Sequence, residues 1–248
     1  MAAARAEVLV GKRVDPKRRE RIFFTGMAIA MVITVFAGFS RTWFLRPYFR
    51  QTQNLIPLLI LHGTIFTSWI VLLVAQTTLI AAKRARTHMR LGIAGGVLAS
   101  LMLIVGTVTA IVRAKGPSPL PGINPLSFLT IPLGDMLIFA ILVGAAFYFR
   151  RKVDTHKRLM LLATIALLPA AVARLPIGFI ENGGPLIFYG LSDLFILPCL
   201  AYDFVTRGRP HRATVIGGAL IVISHPLRMV VGMTHAWLVF ATWLTHWT

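Results

Sequence analysis

Seven stretches of this chain read as membrane-crossing helices: Ile22 to Trp43, Leu55 to Ala82, Leu91 to Val112, Phe128 to Phe149, Leu159 to Ala173, Leu186 to Val205 and Ala213 to Val231. At about 1.5 Å per helical residue, a span of about 20 apolar residues matches a hydrocarbon core of about 30 Å. With 56% hydrophobic and 14% charged residues, a chain of 248 residues is far outside the composition of a soluble globular domain. The expected fold class is therefore an all-α, polytopic membrane helix bundle of about seven transmembrane helices. The expected organisation is a basic tail over residues 1–21 followed by a single transmembrane domain over 22–248.

The formal charge of +18 is distributed in a way that speaks to orientation and against nucleic acid. Nineteen of the 26 Lys and Arg residues fall in the N-terminal tail and in the turns "KRARTHMR", "RRKVDTHKR" and "RGRPHR". These segments alternate with seven spans so that all share one side, which the positive-inside rule makes the cytoplasm. The N-terminus is then cytoplasmic and the C-terminus lies on the far side. The first residues are polar and basic with no cleavage-like small-residue site, so the first span is expected to act as the signal anchor. Together these features point to a multi-pass protein of a bacterial inner (cytoplasmic) membrane, with the lipid bilayer as its first partner.

A single cysteine, Cys199, excludes an intrachain disulfide and any multi-cysteine metal site. The segment Ala213 to Trp247, about 52 Å if it were one helix, is too long for a single crossing. Pro226 is the expected kink, and the aromatic end "HAWLVFATWLTHW" either projects beyond the interface or lies along it as an aromatic belt.

One short repeat bears on chemistry. "THMRL" (Thr87 to Leu91) and "THKRL" (Thr155 to Leu159) each follow a basic turn and each open a span, which makes spans two to three and four to five look like two copies of one hairpin. Thr87 and Thr155, or Asp154, are expected as N-caps, which places His88 and His156 in the first turn of their helices. There the helix dipole favours a neutral imidazole, the form that binds metal or haem iron. Arg86, Arg90 and Arg158 lie close enough in sequence to hold haem propionates. The same residues equally suit interfacial capping, with arginines snorkelling to the headgroups.

"LHG" with His62 early in the second span, followed by a histidine that opens the third after a short turn, resembles the ascorbate-reducible transmembrane b-type cytochromes over about 40 residues. The motifs "HGxxFxxW", "HxRLG" and "HKRLM" are also similar to those of uncharacterised bacterial heptahelical membrane proteins. The cytochrome resemblance implies two haems, one near each face: haem b between His88 and His156 on the cytoplasmic side, and His62 as a far-side ligand. The family's fourth histidine is missing, because shifting His62 by the repeat spacing lands on Thr130.

The far half of the membrane carries further ionisable residues: Asp135, Arg174, Glu181, Asp193, His225 and Arg228. Three readings follow. His225 replaces the missing ligand and joins His62 on a haem or metal; or His62 and His225, with His235 and Asp135, bind zinc as in a membrane hydrolase; or the charges pair and tie helices together. Zinc ranks last because no two histidines have helical ligand spacing. A retinal protein is excluded, since the last lysine is Lys157 and the final span has none for a Schiff base.

The leading functional expectation is a b-type haem or related redox-metal protein for membrane electron transfer, with quinone or another redox partner. A transporter, or a non-catalytic structural or assembly subunit of a larger complex or oligomer, is the alternative.

Overall fold

The computed structural model describes residues 15–49, 55–120 and 122–247, and every regular element among them is a helix. The helices are α1 (Pro16–Phe39, continued by one π turn, Ser40–Phe44), α2 (Pro57–Ala81), α3 (Ala85–Arg113), α4 (Pro125–Phe128), α5 (Thr130–Tyr148), α6 (Val153–Ile165), α7 (Pro169–Val172), α8 (Gly178–Glu181), α9 (Gly184–Asp193), α10 (Ile196–Arg207), α11 (Arg212–Gly232) and α12 (His235–His246). Seven units are long and apolar enough to cross a membrane, three of them built from two consecutive helices: α4 with α5, α6 with α7, and α9 with α10. We call the face where α1 begins the entry face and its opposite the far face.

The compound spans have a common cause. A proline has no N–H for the carbonyl four residues back, and its ring crowds that carbonyl. Pro132, Pro169 and Pro198 act on Phe128, Ile165 and Leu194, and α4, α6 and α9 end at Phe128, Ile165 and Asp193. Pro226 does not end its helix: α11 runs through it to Gly232. The interruption falls instead at Met233 and Thr234, where the Thr234 side chain accepts from Trp237 N at 3.2 Å and starts α12 afresh.

Helix α12 does not continue the seventh span as one helix. It folds back on the far face against α3, α4 and α11. Trp237 Nε1 donates to the Leu126 carbonyl at 2.7 Å, and Ala241 is fully buried beside Ala110 and Leu129.

Helix starts reach beyond the apolar runs. Asp15 Oδ1 accepts from Lys17 N at 3.1 Å and Pro16 occupies the first helical position, so α1 begins inside the segment assigned to the basic tail, of which residues 1–14 lie outside the described residues.

The second and third spans, and the fourth and fifth, form the two closest helical hairpins, and the seventh span packs on the fourth and fifth. At the centre, Trp69 meets Phe139 edge-on at 5.1 Å and donates to Thr164 Oγ1 at 3.2 Å, while Met31, Met102 and Leu162 fill the space around them. The first span reaches the α7 segment through Gly38, where a Cβ would lie 2.7 Å from the Ala171 carbonyl carbon. In a bilayer such close backbone packing, and not exclusion from water, holds helices together.

Candidate functional site

His88 and His156 are the fourth residues of α3 and α6, and each donates its amide to the carbonyl of the residue preceding its helix, Arg84 at 3.1 Å and Lys152 at 2.9 Å. The two copies of the repeat thus share a helical register. The expected caps are corrected: Thr87 and Thr155 lie inside their helices, which begin after Arg84 and Lys152 with no side-chain cap. The helices start three positions earlier than a threonine cap would set them, and Asp154 likewise lies inside α6.

The structure brings the two imidazoles together at the entry face. Their ring centres are 6.5 Å apart and their planes stand at 81°. His156 Nδ1 lies 2.8 Å from the Ala146 carbonyl oxygen, which only an N–H can satisfy, so Nδ1 is a protonated nitrogen of this ring. Gln76, from α2, orients His88: with its Nε2 turned towards the ring, it donates to His88 Nδ1 at 2.7 Å and to the His88 carbonyl at 3.2 Å, and its Oε1 accepts from Gly92 N at 3.1 Å. Gly92 leaves the α3 surface bare one turn beyond His88, since a Cβ there would meet only Gln76 at 3.8 Å.

The arginines expected around this pair divide. Arg90 is exposed at the entry face. Arg158 is buried and engaged elsewhere: Nε and Nη2 donate to Asp203 Oδ1 at 2.8 and 2.5 Å, and Nη1 donates to the Asp154 carbonyl at 2.9 Å. Asp203 Oδ2 in turn accepts from Thr214 Oγ1 at 2.6 Å and His211 N at 3.0 Å. This is a saturated buried ion pair joining α6, α10 and α11, and it leaves Arg158 facing a carboxylate and not an open propionate site.

His211 also caps α11, its Nδ1 accepting from Ala213 N at 3.0 Å. Burial, and then the Arg158 and Arg207 charges, hold its pKa below the usual histidine value.

In the far half, His62 and His225 do not face each other. His62 stacks on Phe66 at 4.1 Å, and its Nδ1 has no hydrogen-bonding partner among the described residues. His225 lies between Tyr189, stacked on it at 3.9 Å, and Asp193, whose Oδ2 is 3.2 Å from His225 Nδ1. Asp135 is paired with the Arg228 guanidinium, which also donates to Ser224 Oγ at 3.0 Å. His62, His225 and Asp135 thus have different immediate neighbours: Phe66, Asp193 and Arg228. Among the described residues, no three His, Cys, Asp or Glu side chains are placed to hold one metal ion. Arg174 donates to the Ala170 carbonyl at 2.6 Å, and Glu181 reaches Arg41 at 3.4 Å.

Several residues that build these sites were not visible as such in the sequence. Gly134 makes room for Arg228, since a Cβ there would sit 2.5 Å from Arg228 Cδ. Gln76, Asp203 and Tyr189 act across helices, and their roles arise only from tertiary contact.

The fold defines the chain as a multi-pass membrane protein with a two-histidine cluster at one face and a carboxylate–imidazole–guanidinium cluster in the opposite half. No protein-family model, no curated protein and no solved structure matches it.

Proposed function

We propose that the chain is a membrane electron-transfer protein that holds a b-type haem, or a related redox metal centre, between His88 and His156. The observation that carries this reading is the geometry of the pair. Two imidazoles on opposite sides of one metal ion, with bonds of about 2.0–2.1 Å, hold their ring centres about 6.3 Å apart; His88 and His156 stand at 6.5 Å. Bound iron supplies one-electron chemistry by alternating between its ferric and ferrous states.

The protein's own groups set the ligands. The Ala146 carbonyl holds Nδ1–H of His156, which in the neutral ring leaves Nε2 free. For His88 to present the same nitrogen, its Nδ1 would have to carry the proton and Gln76 would have to leave its seat, because turning the amide in place sets Oε1 against the His88 carbonyl and Nε2 against Gly92 N. Arg86 and Arg90 are exposed at the entry face but lie two residues either side of His88 on α3, on the side of the helix away from its ring, whereas Arg158 holds Asp203. By the positive-inside rule the entry face is cytoplasmic, and a lipid-soluble quinone is a partner that a protein of this shape meets in the bilayer.

The test is the absorption spectrum of protein purified after expression with ample haem, oxidised and dithionite-reduced. A Soret band and reduced α-band that disappear in both His88→Ala and His156→Ala support the proposal. Absence of iron and of a Soret band overturns it, and leaves the histidines as interfacial side chains of a membrane protein without a cofactor.

A further inference from the structure

A cleft of about 510 Å³ opens between α9–α10 and α11, where Pro198 has interrupted the sixth span, and runs from Gly190 and Asp193 towards Thr214 near the entry-side start of α11. Its walls are apolar: Leu194, Leu197, Leu200, Val222 and Ile223 line it, and Gly190, Gly218 and Ala219 give it depth. One lining side chain is acidic, Asp193, and it closes α9 about 13 Å from that helix's start at the far face. The size lies within the range of about 300–1,000 Å³ usual for small-molecule sites, which are apolar with a few placed polar groups.

The charge balance around Asp193 is incomplete. Arg228 is committed to Asp135, so those two charges cancel. Among the described residues, Asp193 meets no lysine or arginine; its one partner is His225, through Oδ2. Tyr189 and Ser224 face the same cluster without charge. Asp193 Oδ1 is buried without a hydrogen-bonding partner, as is Nε2 of His225, which is 5% exposed. Asp193 Oδ1 and His225 Nε2 are thus buried polar atoms without partners among the described residues, beside an apolar cleft inside the membrane. Polar groups left so are costly there unless a donor or a cation meets them.

We propose that this cleft is a binding site for a lipid-soluble organic cation. Asp193 holds the positive charge, His225 fixes the carboxylate, and the apolar walls between α9–α10 and α11 hold the hydrocarbon body. The ligand class is set by the two halves of the site: the walls require a body that partitions into lipid, and the carboxylate requires a positive charge or an ammonium donor. This inference does not depend on whether His88 and His156 hold iron.

The test uses the purified full-length protein in detergent and tetraphenylphosphonium as the probe, with tetraphenylborate as its anionic counterpart of nearly the same shape. Saturable binding of the cation and none of the anion is expected. Asp193→Asn should weaken cation binding by about thirtyfold or more, the loss usual for one partner of a buried charge pair. Ala219→Phe, which fills the cleft and leaves the charge cluster intact, should weaken it as well and guards against a folding defect in the first variant. Equal binding of cation and anion, non-saturable uptake, or unchanged affinity in Asp193→Asn would each overturn the proposal and make the cleft a seat for lipid chains.

Discussion

Replacing Asp203 by alanine removes the acceptor for three neighbours at once: the Arg158 guanidinium, Thr214 Oγ1 and His211 N. The carboxylate is fully buried and Arg158 is 5% exposed, so the substitution strands a cation away from water. Breaking a buried pair from one side costs about 3–5 kcal/mol. Asp203→Asn keeps the shape but loses the charge, and an intermediate loss of about 1.5–3 kcal/mol is expected, the worth of hydrogen bonds to a charged group. Asp154 supplies the internal control: it contacts the same arginine at 3.4 Å but is 56% exposed, so Asp154→Ala should cost less than about 1 kcal/mol. The double variant Arg158→Leu with Asp203→Leu should recover much of the loss, because no unpaired charge remains. Equilibrium unfolding in mixed micelles against rising SDS fraction reads all four. Equal losses for Asp203→Ala and Asp154→Ala would refute the claim that Arg158 is a strut between α6 and α10.

Gly134→Ala should displace the Arg228 side chain and unseat its pair with Asp135, with a stability loss approaching that of Arg228→Ala, whereas Gly144→Ala, where nothing lies within 4 Å, should be near neutral in the same unfolding assay. Acidification should destabilise the start of α11. The folded-state pKa of His211 is lowered, so its contribution is fully present above the unfolded value near about 6.5 and is lost as pH falls below it. Melting temperature measured from about pH 8 to pH 5 should show this fall, and His211→Asn, which retains a cap acceptor without titrating, should flatten it. Thr234→Ala together with Trp237→Phe should loosen α12 from the far face by removing its cap and its bond to Leu126; faster amide exchange confined to α12 is the expected reading, and unchanged exchange would show that Ala241 packing alone holds it.

The seven spans were legible in the sequence because hydrocarbon tolerates little else than a long apolar helix. Their ends were less so. Three helices begin six residues before the apolar runs that announce them, Pro16 against Ile22, Ala85 against Leu91 and Val153 against Leu159, because a first turn of arginine and lysine can snorkel to headgroups and stay helical while hydropathy sees only charge. Pro132, Pro169 and Pro198 break their spans four residues upstream as their chemistry requires, yet α11 continues through Pro226. The repeat of His88 and His156 was readable because both occupy the same register of equivalent helices. The far-half cluster was readable as a set of residues but not as partners: Asp135, Asp193, His225 and Arg228 were singled out, while their pairing depends on Gly134 and on the break after α9. Asp203 gave no signal, since one carboxylate near a span end looks like any interfacial residue until Arg158 is found beneath it.

The central claim, iron held between two imidazoles that stand nearly perpendicular, has a direct spectroscopic consequence. Electron paramagnetic resonance of the oxidised, haem-loaded protein should give the strongly anisotropic low-spin ferric signal that crossed axial imidazole planes produce, and it should vanish in both His88→Ala and His156→Ala. A rhombic signal of the kind parallel imidazoles give, a signal that survives either substitution, or no ferric haem signal at all would contradict the account.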